Sequence, residues 1–229
     1  MKVLGTTDPP YRAWRNRGIG NVHNGAHYYG QEIEELILPH IKANVFIVTA
    51  GGTLQPRKVP NNCIFVCHHN LSPEKMYKQF LEKNILWVCS KPSTVEKLEA
   101  VGEKAVYIPL SVDTKYVEKF KTEKIRDIAF IGNFWKFKSS YINSLPMEVH
   151  HVGGLDRRRL LEEMAKYRRV IAEGRCNIEA QVLGCEVEIP HYGSPGVEAI
   201  EREVLDSRDA IPFWREVLLK HEASTKLLK

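Results

Sequence analysis

Apolar residues in this chain fall into short runs, separated by longer stretches in which they recur three and four positions apart. The runs at 1–6, 44–49, 63–67, 85–90, 105–109, 126–131, 147–152 and 169–172 include many β-branched and aromatic residues. Such runs predict strands buried on both faces, as in a parallel sheet. The wider spacing predicts helices over 31–41, 91–102, 156–167, 198–205 and 211–228. Another helix opens near Ser72-Pro73-Glu74, and 115–124 reads as either helix or linker. Within these elements, Leu160, Leu161, Met164 and Tyr167 line one helix face, and Phe213, Trp214, Val217 and Leu218 are candidates for burial. Strands alternating with helices define an α/β fold, and 229 residues hold two compact units.

The stretch 171–189 has the clearest local grammar. Val170 and Ile171 end a strand, Gly174 opens a turn, and Asn177 is placed to cap a short helix carrying Ile178, Val182 and Leu183. Gly184 ends that helix, and 185–189 returns to strand. Glu173 then lies on a turn and Glu179 in a helix, both at the carboxyl edge of a parallel sheet, where open α/β sheets bind ligands.

Composition adds limits. Hydrophobic residues at 43% and charged residues at 27% are ordinary for a globular protein. A net charge of +5 suits phosphate-bearing ligands without demanding nucleic acid or an anionic membrane. No apolar run approaches the roughly 18 residues of a spanning helix, so a soluble, cytoplasmic protein is expected. Five cysteines is an odd number, and Cys63, Cys67 and Cys89 lie inside apolar runs, which argues against a disulfide framework. Cys63, Cys67, His68 and His69 suggest zinc, but alternation puts Cys63, Phe65 and Cys67 on one strand face and no second ligand pair follows, so no metal is expected.

Several segments in order resemble the GT-B glycosyltransferases, especially the large retaining group called family four. The first is Glu173-Gly174, followed by Glu179-Ala180 and then Gly184-Cys185 before an apolar strand. Five residues separate the two glutamates, where seven is usual in that family. The resemblance makes Glu179 the ligand of a nucleotide's ribose and Glu173 a contact of the transferred sugar; the spacing bears on Glu173 and not on Glu179. Pro109-Leu110-Ser111-Val112-Asp113 is similar to the family's hinge-side segment, with Leu110-Ser111 in place of Asn-Gly. Gly132 ends a strand where the family begins its diphosphate site. Asn133 stands where Arg is usual, and either Lys136 or Lys138 supplies the charge. His68 or His69, following a strand, lines the acceptor side of the cleft in such enzymes. The loop 7–29 carries Arg12, Arg15 and Arg17 with Tyr11 and Trp14, and a glycine-spaced segment including Gly20. It is either an acceptor-binding loop or a solvated one. Arg157, Arg158 and Arg159 open a helix, where cations oppose the macrodipole, so they meet an anionic partner or solvent.

The resemblance covers roughly 63–189 and implies a minimal GT-B enzyme of the kind found among compact viral and bacterial sugar transferases. Two Rossmann-like domains with parallel sheets would face a central cleft. The acceptor-side domain would span 1–123 and the donor-binding domain 124–208, with a helix in 209–229 crossing back. The implied activity is metal-independent transfer from a nucleotide-diphosphate sugar, UDP-sugar favoured, with no cofactor. A glycan hydroxyl is the first acceptor and a hydroxymethylated DNA base the second. Three other readings remain: a nucleotide-sugar epimerase, a nucleic-acid-binding module and a catalytically inactive GT-B scaffold.

Overall fold

A computed structural model describes residues 2–5, 28–29, 32–40, 46–50, 63–67, 85–132, 140–190 and 203–226. They form a mixed α/β structure with two all-parallel sheets of Rossmann-like character. The described residues divide into two compact units, one drawn from 1–109 and 207–229, the other spanning Leu110–Asp206. The sequence reading places these divisions at 123/124 and 208/209.

The first unit holds β1 (Lys2–Gly5), β2 (Phe46–Ala50), β3 (Cys63–Cys67), β4 (Ile85–Cys89) and β5 (Lys104–Tyr107), paired in sequence order. Every residue of β4 is buried, as its unbroken apolar run requires. This sheet does not reverse direction among its described strands, so it has no switch point of the Rossmann kind. The helix α1 (Pro92–Glu99) begins with proline in its first turn and ends at Gly102. Gly102 has φ of 84°, and Glu103 N–H donates to Leu98 O at 3.0 Å.

The helix expected at 31–41 differs in form. A π-helical turn spans Ile33–Ile37 and a 3₁₀ turn spans Leu38–His40. Pro39 has no N–H to give and its ring crowds the carbonyl one turn back, so a regular α-helical register does not persist through it. Ile33 and Ile37 are buried there, and buried Glu32 accepts a 2.8 Å hydrogen bond from Ser207 Oγ.

The second unit runs α2 (Thr114–Glu118), β6 (Arg126–Ile131), α3 (Ser140–Asn143), β7 (His150–Val152), α4 (Arg157–Met164), β8 (Tyr167–Ala172), α5 (Arg175–Val182) and β9 (Glu186–Glu188). Its strand order is β7-β6-β8-β9. The chain goes outward from β6 to β7 and then back past β6 to β8, so the direction reverses between β6 and β8. Right-handed crossovers place α3 on one face and α4 and α5 on the other. On the first face, Ile128, Phe130 and Ile171 pack with Ile142 and Val149, flanked by Tyr141 and Leu145. Strand alternation turns Ala129, Val170 and Ala172 the other way, all fully buried.

Lys124 ties the far ends of α4 and α5 together. Its ammonium donates 2.9 Å hydrogen bonds to Ala165 O and Leu183 O, the last carbonyls of the two helices, and lies 3.2 Å from Cys185 Sγ. A cation there satisfies open carbonyls and complements both macrodipoles.

Three expected elements are corrected. Tyr167 begins β8 rather than lying on the preceding helix, which stops at Met164. The described end of the helix expected at 198–205 is not helical, because Leu205 O accepts from Val112 N–H at 3.0 Å and Asp206 bridges to Val112 as parallel strand. Asp206 also takes the N–H and hydroxyl of Thr114, fixing the start of α2. The last helix, α6 (Ile211–Lys226), buries Trp214, Val217 and Leu218 but leaves Phe213 43% exposed. At 100° per residue, Phe213 falls off the stripe that the other three share.

Candidate functional site

The site is built at the reversal between β6 and β8. Their last residues, Ile131 and Ala172, are register partners, so Gly132 and Glu173 follow the two strands at the same edge of the sheet. Gly132 follows one strand and Glu173-Gly174 the other. The carboxyl edge at such a reversal is the position open α/β sheets use for ligands.

Two glycines are required by the backbone there. Gly174, with φ 57° and ψ −127°, turns the chain from β8 into α5 in a conformation that side chains disfavour. It therefore occupies the cap position expected of Asn177, which lies inside the first turn instead. Asn177 is buried, donates to Ala172 O at 3.5 Å and accepts from Gln181 at 2.7 Å. Gly153, after β7, approaches the Gly132 carbonyl so closely that a Cβ on it would collide with that oxygen and with His151 Nε2. His151 Nε2 lies 2.8 Å from the same carbonyl and its ring stacks on Phe130. The Gly132 peptide is thereby held against the end of β7, to whose Val152 carbonyl its N–H also donates at 3.2 Å.

The helix α5 is buried on most of its surface, with Arg175, Asn177, Ile178, Glu179, Ala180 and Val182 all covered. Its end is a paired glycine cap: Gly184 N–H donates to Gln181 O and Cys185 N–H to Ala180 O, both at 2.9 Å. A helix buried all round must satisfy its polar side chains internally. Glu179 does so with two guanidinium groups. Arg175 Nε donates to Glu179 Oε1 at 2.9 Å, and Arg157 Nη2 lies 3.2 Å from the same oxygen. The side chains are 3%, 5% and 13% exposed for Glu179, Arg175 and Arg157. Arg157 also lies 5.0 Å from the ring centre of Tyr116 on α2, a cation–π contact.

The arginine triplet thus divides. Arg157 turns inward to Glu179, while Arg158 pairs with Glu162 and Arg159 with Asp156 on exposed surface. Asp156 caps the helix by accepting from Arg159 N–H at 3.0 Å, which offsets part of the charge conflict at that end.

Of the residues singled out from sequence, Gly132, Glu173 and Gly174 meet at the reversal, and Glu179 sits one helical turn into α5. Glu173 is half-buried. Glu179 is more enclosed than a ribose ligand needs to be, and Arg157 is the more exposed of the groups on it. Arg12, Arg15, Arg17, Gly20, His68, His69, Asn133, Lys136 and Lys138 lie outside the described residues. Arg157, Arg175 and His151 were not assigned to the site from sequence; the i, i+4 spacing of Arg175 and Glu179 was the available signal. Among the described residues, no group of three or more His, Cys, Asp or Glu is placed to hold a metal ion, and no helix is long and apolar enough to cross a membrane. The described cysteines Cys89, Cys176 and Cys185 are free thiols.

No protein-family model, curated protein or solved structure matches the chain. What the fold itself defines is an α/β protein whose second parallel sheet reverses direction between β6 and β8.

Proposed function

We propose that the protein is a minimal GT-B glycosyltransferase, binding a nucleotide-diphosphate sugar, UDP-sugar favoured, on its second unit. The observation that carries this reading is the convergence of Gly132, Glu173 and Gly174 at the β6/β8 reversal, with the N-terminus of α5 opening onto it. That edge offers backbone N–H groups and positive helix potential to a diphosphate. In the reaction, the bond from the sugar's anomeric carbon to the diphosphate oxygen breaks and one forms to an acceptor hydroxyl oxygen. The hydroxyl proton leaves to a base, for which His68, His69 and Glu173 are the candidates. Lys136 or Lys138 supplies charge to the leaving diphosphate without a metal. Glu179 holds the ribose: a carboxylate has about four acceptor sites, so it can keep a guanidinium on one oxygen and offer the other.

The preferred acceptor is a glycan hydroxyl, with a hydroxymethylated base second. The test is release of nucleoside diphosphate from UDP-glucose, UDP-galactose and UDP-N-acetylglucosamine, with and without oligosaccharide acceptors or hydroxymethylated single-stranded DNA. Acceptor-dependent release supports transfer. Interconversion of the UDP-sugars without release would instead indicate an epimerase.

A further inference from the structure

Gly132 follows β6 at the edge it shares with Glu173, and its φ of 156° lies in a region that glycine populates far more readily than other residues. A Cβ there would meet the Phe130 ring at 3.1 Å, so packing along the strand also selects glycine. That freedom leaves the direction of the Gly132 carbonyl open, and its partners must set it. The Gly132 N–H donates to Val152 O at 3.2 Å, which continues the parallel ladder to β7. The next ladder donor would be the N–H of Gly154, but φ of 71° turns the chain out of the strand there. His151 supplies the donor instead. Its Nε2 lies 2.8 Å from the Gly132 carbonyl, which can only accept, so Nε2 carries the proton. The ring reaches that oxygen while lying against Phe130, its register partner on β6, and the missing side chain of Gly153 leaves room for both groups.

We infer that His151 is a positioning residue for the donor's diphosphate, acting through the Gly132 carbonyl. The carbonyl oxygen is the negative end of the peptide dipole. Turned toward β8, it would face the edge that carries Glu173 and Gly174 and repel phosphate oxygens. Latched to His151, it stays on the β7 side, and β6 lies between the two. The inference rests on the nucleotide-sugar reading for the ligand, and on the geometry of His151, Gly132 and Gly153 for the latch.

Calorimetric titration of the full chain with inorganic pyrophosphate and with UDP tests it, using two substitutions that separate the ring from its N–H. His151→Phe keeps a ring against Phe130 and removes the donor; His151→Gln drops the ring and keeps an N–H of similar reach. Wild type binds both ligands. His151→Phe weakens both by about tenfold, the effect of one hydrogen bond at a charged ligand, and His151→Gln recovers most of the loss. A residue that served packing alone would give the reverse order, with phenylalanine near wild type and glutamine the weaker binder. That reverse order, equal weakening by the two variants, or wild-type affinity in both, with UDP still bound, would overturn the inference and leave the glycosyltransferase reading standing. Pyrophosphate binding that depends on the His151 donor, without any nucleotide binding, would retain the latch and remove the nucleotide-sugar reading. Binding of neither ligand by folded wild type would remove both.

Discussion

Replacing Glu179 by alanine should destabilise the second unit more than any other single substitution at this site. Its carboxylate is the shared acceptor of Arg175 and Arg157, and its side chain is 3% exposed. Removing one partner of a buried ion pair typically costs about 3–5 kcal/mol, because the remaining charge stays buried without compensation. Arg157 can relax toward solvent, whereas Arg175 at 5% exposure cannot, so the cost falls mainly on Arg175. Glu179→Gln keeps the volume and one acceptor oxygen, and should cost about 1.5–3 kcal/mol, the range for hydrogen bonds to charged groups. Replacing both Arg175 and Glu179 by apolar residues should cost less than Glu179→Ala alone, since no buried charge is left from that pair. Tryptophans fall in both stretches of the chain, so total tryptophan fluorescence does not report the second unit alone. Hydrogen exchange of peptides covering Tyr167–Ala172, followed through urea, reads the second unit directly. Alanine and glutamine variants both within about 0.5 kcal/mol of wild type, the range of ordinary surface changes, would refute the account of this cluster.

Gly153→Ala should lose about 1–3 kcal/mol, the usual cost of overpacking, because its Cβ meets the Gly132 carbonyl; a urea midpoint equal to wild type would contradict the close approach. Cys185 has its thiol pushed above the usual 9.0 by burial, partly opposed by Lys124. It should resist alkylation at pH 8 in the native state, as peptide mass spectrometry would show, and its contribution to stability, full below the unfolded-state value, should decline as pH rises past it. Glu163 is held below its usual 4.5 chiefly by the Lys166 hydrogen bond, with Arg126 assisting against desolvation. Its contribution is present above the unfolded-state value and is lost as pH falls through the folded one, and Glu163→Gln should flatten the acid limb of a stability-against-pH curve. Replacing Arg12, Arg15 and Arg17 together should impair acceptor use more than donor hydrolysis; equal loss of both would argue against an acceptor role for that loop.

Much of the second unit was legible because its signals are local. Gly174 and Gly184 mark the ends of α5, the apolar run before Glu173 marks β8, and the run ending at Gly132 marks β6. The sequence could not show where Asn177 and Tyr167 fall, because a cap and a strand start depend on backbone turns a residue or two away. Phe213 was misplaced because burial along a helix depends on which stripe meets its neighbours. The extended segment at Leu205 and Asp206 depends on Val112, about ninety residues distant in the chain, and no local pattern announces such a pairing. The same limit hid the site's second arginine. Arg157 reads as one of three equivalent cations until the fold brings α4 beside α5 and turns it onto Glu179.

The central claim is a nucleotide-diphosphate site at the β6/β8 reversal. Its most direct test is the thermal stability of the full chain with UDP, GDP, ADP and their sugar conjugates, followed by titration of any ligand that shifts it. A ligand at a hundred times its Kd should add about 2.7 kcal/mol to the stability of the state it binds. The account predicts a selective shift by one nucleoside diphosphate and its sugar conjugates. No shift with any of them, in a sample that unfolds cooperatively, would contradict it.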